Sequence, residues 1–400
     1  MNKCLVTKLN GAVDNSNLLK IGELRINVTS APNPSKLTQG MELQFTEPTE
    51  VSIIGDGYFT DENLSANYGK VKTITNERFF ISNGNYELSI KNKYKVSLMS
   101  SINRDMSGDN NGKYKSINID GLKYSNSLTW IDMSSAEGDI SAFKNALSLR
   151  FVALSNTNVT GDISAFANNT ELTSFFLSNT NVTGDISAFT NNTILAALHL
   201  DNVKITGNIS AFTNNTVLTS IRLTDKNVTG DISAFANNTK LTALILNGTN
   251  ITGDISAFEN MTKLANLEIN NTSAHGDIGA FRNCPLKEIR IANVGNLTGD
   301  FAKLPAKCYY IALGDNASKT VLNWTSRDTS EYITAWSGRA KVINVDDMLI
   351  GMAKCTAHPD ITTFPTWKKI ISIVGTRTSA SDSAINTLQQ KGYTVSVTPA

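Results

Sequence analysis

The sequence lacks both a charge imbalance and a long apolar run. Its 36 Lys and Arg residues nearly balance its 35 Asp and Glu residues, and only 18% of the chain is charged. This balance gives no reason to expect nucleic acid as a partner, because such partners require clustered positive charge. No apolar stretch approaches the roughly 20 residues of a membrane-spanning helix. The first residues, Met1–Lys8, also lack the apolar centre of a signal peptide, so we expect neither membrane insertion nor signal-peptide export.

Cysteine is scarce as well. The four cysteines form no Cys-x-x-Cys pair, and they are Cys4, Cys284, Cys308 and Cys355. Cys284 and Cys308 lie 24 residues apart. We expect reduced, buried thiols there rather than a disulfide, because disulfides belong to exported chains.

The residue types that carry catalysis are sparse. Three histidines, His199, His275 and His358, form no metal-spaced pair, and no Gly-x-Ser-x-Gly or phosphate-binding loop occurs. Carboxylates are numerous, so a glycosidase-like pair stays open as an alternative, although such pairs work in deep pockets. We therefore predict a protein that is not an enzyme and that needs no cofactor or metal.

What the sequence does contain is a repeat. Glycines recur every 23 residues, at Gly138, Gly161, Gly184, Gly207, Gly230, Gly253, Gly276 and Gly299. A nearly constant phrase surrounds them, as in Thr160–Phe166. A fixed period of this length indicates one supersecondary unit, here called a coil, that stacks on copies of itself. Such solenoids bind partners on extended surfaces more often than they catalyse reactions.

Each coil carries about six apolar residues that we expect to face inward. In one coil they are Leu172, Phe175, Leu177, Val182, Ile186 and Phe189. The alternating Leu-x-Leu part predicts a strand, the glycine a tight bend, and Ser-Ala-Phe a short helical turn with the serine as its cap. Burial of each group stabilises by roughly 1.5–3 kcal/mol. Because one coil cannot bury them alone, a stack is required.

This pattern resembles the leucine-rich repeat family over about residues 120–315. The resemblance implies an α/β-type solenoid whose strand face is concave and often binds a partner. One position departs from the family, which usually has asparagine where this chain has Thr157, Thr180 and Thr249. A threonine hydroxyl can make the same backbone bond.

Two polar ladders run through the repeats. One consists of Asn145, Asn168, Asn191, Asn214, Asn237, Asn260 and Asn283, and we expect their amides to bond between coils. The other consists of Asp139, Asp162, Asp185, Asp231, Asp254, Asp277 and Asp300, with Asn208 interrupting. We predict that these carboxylates cap turns. The alternative is calcium binding, but one carboxylate per coil supplies few of the 6–8 oxygens that calcium takes.

The repeats divide the chain into predicted regions. Residues 1–105 predict an all-β, sandwich-like attachment or oligomerisation domain, with strands over Leu19–Ile26, Met41–Phe45, Glu50–Ile54, Arg78–Ile81 and Tyr86–Ile90. Residues 106–119 predict a linker and residues 120–315 the solenoid. Residues 316–400 predict degenerate repeats and a β-α-β C-terminal cap, with strands at Lys341–Val345, Ile370–Val374 and Tyr393–Val397 and helices at Asp346–Lys354 and Ser381–Lys391.

Variation between coils marks where binding could occur, since packing leaves those positions free. The candidate binding residues on the strand face are Phe176, His199, Asp201, Arg222, Ile245, Asn247, Glu268 and Arg290. We expect all of them, including the apolar Phe176 and Ile245, to be exposed. Their mixture of aromatic, basic and acidic groups suits a glycan or a protein surface. A solvated face without a ligand remains the alternative.

Two end phrases suggest a biological setting. Met1–Gly11 and Leu19–Glu23 resemble the start of structural appendage proteins of phages of Bacteroides-type gut bacteria, including the crAss-like group. Ser381–Ile385 and Lys391–Val395 are similar to the ends of leucine-rich repeat proteins from the same bacteria and phages. This resemblance implies a homo-oligomeric virion fibre or decoration. Its N-terminal domain would hold other virion proteins, and its solenoid would contact a host-surface protein or glycan. A bacterial cell-surface adhesin and an intracellular protein-binding scaffold are the alternatives.

Overall fold

In the computed structural model, the described residues are 23–28, 40–45, 49–55, 72–74, 78–82, 84–91, 96–100, 117–119, 128–133, 136–314 and 321–399. The chain divides into two compact units, residues 1–205 and 206–400. This division falls inside a coil, and the expected boundaries at residues 105, 119 and 315 stay predictions. Residues 1–22, with Cys4, and most of the expected linker lie outside the described residues. Within the described part, no helix is long and apolar enough to span a membrane.

Short strands precede the repeats. They are β1 Glu23–Val28, β2 Gly40–Phe45, β3 Thr49–Gly55, β4 Lys72–Ile74, β5 Arg78–Ser82, β6 Gly84–Lys91, β7 Val96–Ser100 and β8 Ile117–Asn118. Antiparallel pairs join β1 to β6, β2 to β5 and β7, and β3 to β4 and β6. These strands overlap the expected ones, of which Leu19–Ile26 is described from Glu23 onward. The sandwich and its attachment role stay predictions.

The first unit continues with the first coils. Their strands are β9 Leu128–Met133, β10 Ala136–Asp139, β11 Phe151–Ala153, β12 Asn158–Asp162, β13 Ser174–Phe176, β14 Asn181–Asp185 and β15 Ala197–Leu200, and β16 Lys204–Asn208 crosses the division. Parallel pairing links β9, β11, β13 and β15 in one row and β10, β12 and β14 in another. Each coil therefore adds one short strand to each row, as the repeat predicts.

The second unit repeats this arrangement and ends in helices. Its strands are β17 Ser220–Leu223, β18 Val228–Asp231, β19 Ala243–Ile245, β20 Asn250–Asp254, β21 Asn266–Glu268, β22 Ser273–Asp277, β23 Glu288–Arg290, β24 Leu297–Asp300, β25 Tyr310–Gly314, β26 Val321–Asn323, β27 Ala335–Val342, β28 Ile370–Val374 and β29 Thr394–Thr398. The helices are α1 Val345–Lys354 and α2 Asp382–Gln390. Parallel pairing runs from β17 through the odd-numbered strands to β27 and then to β28 and β29.

The C-terminal elements differ from the expected ones at their ends. The strand expected at Lys341–Val345 ends at Val342, because α1 already begins at Val345. Ile370–Val374 is the strand β28 as expected, and α2 and β29 follow in the expected strand–helix–strand order. That these elements cap the solenoid stays a prediction.

The expected inward residues form the core. Leu172, Phe175, Leu177, Val182, Ile186 and Phe189 are all fully buried. The Phe175 ring lies between Phe166 and Phe189, with ring centroids 4.7 and 5.0 Å away. Strand and turn aromatics of successive coils thus interlock, which explains why a single coil has no core of its own.

An aspartate, or in one coil an asparagine, caps the helical turn of the coils in place of the expected serine. In the first unit the turns are 3-10 helices at Ile140–Phe143, Ile163–Phe166 and Ile186–Phe189. Asp162 precedes one of them, and its Oδ1 accepts from the Ser164 backbone N–H at 2.8 Å. The serine occupies the second helical position, whose N–H the cap satisfies.

The same cap recurs in the second unit with a neutral residue. Asn208 Oδ1 accepts from the Ser210 N–H at 2.9 Å, in place of a carboxylate. The turn-capping prediction for the aspartate ladder is therefore confirmed, and the cap needs an oxygen acceptor but no charge. Among the described residues, no group of three or more His, Cys, Asp or Glu is arranged to hold a metal ion.

The repeat glycine satisfies two constraints at once. Gly184 has φ +125°, a conformation that L side chains rarely adopt. A Cβ there would lie 2.5 Å from Asp162 Oδ1 and 2.8 Å from Ile163 Cγ1 of the preceding coil. The glycine thus makes room for the aspartate cap of its neighbour.

The asparagine ladder lies one residue later than expected. Asn145, Asn168, Asn191, Asn214, Asn237, Asn260 and Asn283 are exposed, although Asn283 Nδ2 does donate to the Glu259 carbonyl of the preceding coil at 3.4 Å. The buried ladder consists of Asn169, Asn192, Asn215 and Asn238. Asn169 Nδ2 donates to the Ala146 carbonyl and Asn192 Nδ2 to the Asn169 carbonyl, both at 2.7 Å. Asn169 follows the buried Phe166 by three residues, and in a 3-10 turn such positions share one face.

Two further predictions are confirmed. Thr157, Thr180 and Thr249 are buried, and each hydroxyl donates to a backbone carbonyl three residues earlier at 2.6–2.7 Å. Cys284 and Cys308 are buried free thiols. Burial raises the pKa of each of these thiols to about 12.

Candidate functional site

The candidate site in each unit is its strand face, which comprises the outward-pointing side chains of the odd-numbered strands, β9–β15 in the first unit and β17–β25 in the second. In the first unit, Phe176 and His199 occupy matching positions on β13 and β15. Both are half-buried. Their ring centroids lie 4.8 Å apart, so the structure brings these two expected site residues into contact.

Phe176 and His199 belong to a longer aromatic row that the sequence analysis missed. The Phe151 ring lies 5.6 Å from Phe176 in an edge-on arrangement. Trp130 stacks on Phe151 with centroids 3.8 Å apart and planes 7° from parallel. Trp130 and Phe151 each lie two residues before the position that aligns with Phe176 on their own strands. Because side chains alternate along a strand, these positions belong to the same outward face. We call Trp130, Phe151, Phe176 and His199 the aromatic row.

Two carboxylates accompany the aromatic row. Asp132 is half-buried, and the pairing of β9, β11 and β13 places it in line with Phe176. Burial raises the pKa of Asp132 above its ordinary value. Asp201 Oδ2 accepts from the Ser178 hydroxyl at 3.0 Å, so this expected site residue is held by the coil before it.

In the second unit, four expected site residues form one line across adjacent strands. Strand pairing sets Arg222 opposite Ile245, Ile245 opposite Glu268, and Glu268 opposite Arg290. The expectation that Ile245 is exposed is wrong, since it is only 5% exposed. It lies between two long side chains, Arg222 and Glu268, and such side chains cover apolar neighbours with their stems.

A polar network joins the rest of this line. Asn247 Nδ2 donates to Glu268 Oε2 at 2.8 Å. Arg290 lies between two carboxylates, with Nε 3.6 Å from Glu268 Oε1 and Nη2 3.5 Å from Glu288 Oε2. The Arg290 side chain nevertheless stays 45% exposed. The network therefore holds a guanidinium in a set position while leaving it open to a ligand.

A segment from the C-terminal region meets the network, and we call residues 356–369 the strap. Lys368 Nζ forms an ion pair with Glu288, and the Tyr309 hydroxyl donates to the same carboxylate oxygen at 2.6 Å. Burial raises the pKa of Glu288, but the bonds from Lys368 and Tyr309 outweigh it and leave that pKa below its ordinary value. Trp367 of the strap makes edge-on ring contact with Tyr310 at 5.2 Å. The strap thus limits the open strand face beside Arg290.

Aromatic rings anchor the strap. His358 packs against Tyr309, Tyr332 and Phe364, with ring centroids 4.5–4.9 Å away. Burial lowers the pKa of His358. Glu288, Tyr309 and Lys368 were absent from the expected site, because Glu288 and Lys368 are 80 residues apart and no local pattern connects them.

The comparison with protein families agrees with this geometry. The model of the BspA type leucine rich repeat region matches residues 109–208 and 201–301, a little under half of the chain. These residues carry leucine-rich repeats of this type. No curated protein shows significant sequence similarity to it.

Several solved structures resemble this chain. A plant peptide hormone receptor, RGFR1 in complex with RGF2, is 17% identical, covers 70% of this chain and 48% of its own, and has a TM-score of 0.48. An internalin, inlF, from Listeria monocytogenes is 19% identical over 69% of this chain and 82% of its own, with a TM-score of 0.38. The ectodomain of the Arabidopsis receptor kinase HAESA, in complex with an IDA peptide hormone ligand, is 20% identical over 61% and 52%, with a TM-score of 0.44. The chain spans about half the length of these plant receptors.

Proposed function

We propose that the strand face is a recognition surface for a protein or glycan on a host cell, and that the protein is not an enzyme. The aromatic row is the observation that carries this proposal. Four coils in succession place a half-buried ring on an outward face. Aromatic residues are enriched at interfaces, where a few residues, often Trp, Tyr or Arg, carry most of the binding energy. The scaffold beneath the row is the same in each coil, so stacking does not require rings outside.

The second unit adds a polar contact to the proposed surface. Arg290 is held by Glu268 and Glu288 before any ligand arrives. A group fixed in this way loses little conformational entropy on binding, which favours affinity. A guanidinium can also form two parallel hydrogen bonds to a carboxylate. We therefore expect an acidic group in the ligand.

Cell binding by the full chain tests this surface. The labelled protein is mixed with intact gut bacteria and retention is measured, with Phe176→Ala and Arg290→Ala as single variants. Thr183→Ala is the matched control, since Thr183 is exposed on β14 rather than on the strand face. We expect a tenfold or greater loss for the two variants and none for the control. Equal binding by all four proteins would refute the proposal, and pretreatment of cells with protease or periodate separates protein from glycan.

We also propose that the protein is a virion component, a fibre or decoration of head or tail. The resemblance of Met1–Gly11 and Ser381–Ile385 to phage and Bacteroides proteins supports this setting. Attachment to other virion proteins would fall to the N-terminal region. Immunoelectron microscopy of purified phage particles tests the proposal, and labelling of heads or tails is the expected result. Labelling of uninfected bacterial surfaces instead would identify a cell-surface adhesin.

A further inference from the structure

Within the described residues, one edge of the strand β29 has no strand partner. β29 pairs in parallel with β28 over five residues in unbroken register, and no other described strand pairs with it. Its sequence, Thr-Val-Ser-Val-Thr, contains no charge and no proline, the residues that usually protect such an edge. The strand is therefore a template for a further strand.

The backbone bonds show which groups of β29 point outward. The Gly375 N–H donates to the Thr398 carbonyl at 2.9 Å, so Thr398 faces β28. Because strand geometry alternates with period two, Ser396 and Thr394 face β28 as well. The N–H and C=O groups of Val395 and Val397 consequently face away, toward the open edge.

The side chains of β29 also indicate that the sheet is not covered at this edge. Val395 and Val397 are half-buried, whereas their partners on β28, Ile371 and Ile373, are fully buried. The valines thus continue the apolar side of the sheet to its margin, where nothing described covers their outer flank.

The sequence of β29 is a palindrome, and this symmetry favours a second copy of the same strand as the partner at the open edge. We propose that two copies of the chain pair through β29 in antiparallel fashion about a two-fold axis at Ser396. This register sets Val395 against Val397 of the second copy, so the outward groups of both strands meet in hydrogen-bonded pairs. It also sets Thr394 against Thr398 and Ser396 against itself. A two-fold contact of this kind uses the same patch twice and closes, leaving no open edge at the joint.

Other registers fit less well. A shift by one residue would oppose outward groups to groups already bonded to β28. A shift of the axis to Val395 or Val397 keeps the bonding pattern but shortens the overlap and leaves threonines facing residues of other types. Only the Ser396 register pairs all five residues and sets valine against valine and threonine against threonine. Such β-branched pairs are a favourable cross-strand arrangement.

Engineered cysteines provide a direct test on the full chain. At the axis the two Ser396 Cα atoms would lie about 4.5 Å apart, within the disulfide range of about 4.4–6.8 Å. Two copies of Thr394 would lie roughly 14 Å apart along the strand. We expect mild oxidation to cross-link Ser396→Cys, but not Thr394→Cys or the parent chain. The double variant Thr394→Cys/Thr398→Cys should cross-link again. Equal cross-linking at Thr394 and Ser396, or none at Ser396, would overturn the proposal.

Light scattering supplies a second measurement. The parent chain should have twice the mass of one copy, and Val397→Pro should be a monomer because it removes an outward N–H. Val397→Thr keeps that N–H and should remain a dimer. A parent that is monomeric at every concentration, or a folded Val397→Pro dimer, would contradict pairing through β29. If Val397→Pro fails to fold, the cysteine series decides.

Discussion

At the scale of the residue, each coil combines a few positions with strict requirements. The repeat glycine lies against the aspartate cap of the preceding coil, and the buried asparagine donates to the backbone of the preceding coil. The residue type at each of these positions is therefore fixed by a neighbouring coil as well as by its own turn. Outward positions vary in chemical class, and their contacts between coils, such as Asp201 with Ser178 and Glu268 with Asn247, differ from coil to coil. The contrast between the two groups is the physical basis for the proposal that the strand face binds a ligand.

The cap can be separated from a cation site by substitution. Asp185 Oδ1 accepts from the Ser187 N–H at 2.8 Å. Asp185→Ala should lower the free energy of unfolding by about 0.5–2 kcal/mol, the usual value of a lost N-cap. The free energy of unfolding of Asp185→Asn should stay close to that of the parent, because Asn208 caps the corresponding turn of another coil. Urea unfolding with calcium or with EDTA measures both, and a calcium-dependent loss in Asp185→Asn would favour the cation alternative.

A second residue prediction concerns the left-handed residue that follows several strands of the strand face. Asn156, Asn179, Asn202, Asn271 and Asn293 adopt φ of 54–62° there, and Gly248 has φ 71°. A Cβ at Gly248 meets nothing within 4 Å. Gly248→Asn should therefore stabilise by about 0.4–1 kcal/mol, since asparagine tolerates this conformation and reduces the freedom of the unfolded chain.

Gly184→Ala is the opposite case and serves as the control. Its Cβ would clash with the Asp162 cap, so thermal unfolding should occur at a clearly lower temperature. If both glycine variants shift the melting temperature in the same direction, the explanation from backbone geometry is incorrect.

At the scale of the element, the strap is the feature that the repeat does not contain. Its contacts on Glu288 and Tyr310 come from a segment between α1 and α2, far along the chain. A solenoid coil presents its outward strand positions equally, but the strap covers some of them. The usable strand face in the second unit therefore ends where the strap begins.

The ion pair that holds the strap predicts a pH dependence. The pKa of Glu288 is lowered in the folded protein from its ordinary value of about 4.5. A carboxyl with a depressed pKa stabilises the fold above its unfolded pKa, and this contribution disappears as pH falls through the folded value. Stability of the parent should thus drop below about pH 4.5, and Glu288→Gln should reduce that drop. Unfolding curves at pH 7, 5 and 3 provide the measurement.

Lys368→Met tests the same contact at neutral pH. The ammonium is removed while the stem remains, and we expect a loss of roughly 1 kcal/mol, between the values for exposed and buried pairs. Limited proteolysis should cut within residues 356–369 sooner in this variant. Lys369→Met is the matched control, because Lys369 donates to the strap's own Thr362 carbonyl instead. Equal cleavage of both variants would contradict the role of the Glu288 pair.

At the scale of the whole molecule, thiol chemistry checks the burial of the repeats. Cys284, Cys308 and Cys355 are buried free thiols. Burial raises the pKa of all three, so little reactive thiolate forms near neutral pH. In the native protein a thiol reagent should modify no more than one of the four cysteines, Cys4, and all four after unfolding. Rapid labelling of two or more in native conditions would contradict the packing of the second unit.

Much of the fold and less of the site could be predicted from the sequence. The 23-residue period led to the stacked strands, the inward residues and the aspartate caps because these depend on local repetition. The asparagine ladder was predicted one residue too early, since two adjacent asparagines do not reveal which of them a 3-10 turn directs toward the core. Ile245 was misassigned because its exposure depends on side chains in two neighbouring coils.

The sequence by itself determined that the chain stacks, which residues of each coil are buried, and which positions are free to vary. These follow from period, hydrophobicity and glycine, all of which act within one coil or between identical neighbours. Only the tertiary structure decided that Trp130 and Phe151 extend the aromatic row, that Arg290 stands between Glu268 and Glu288, and that Lys368 reaches Glu288. Such contacts join residues of different coils or distant segments. Their geometry depends on strand register and on where the strap packs, and no local sequence pattern specifies either.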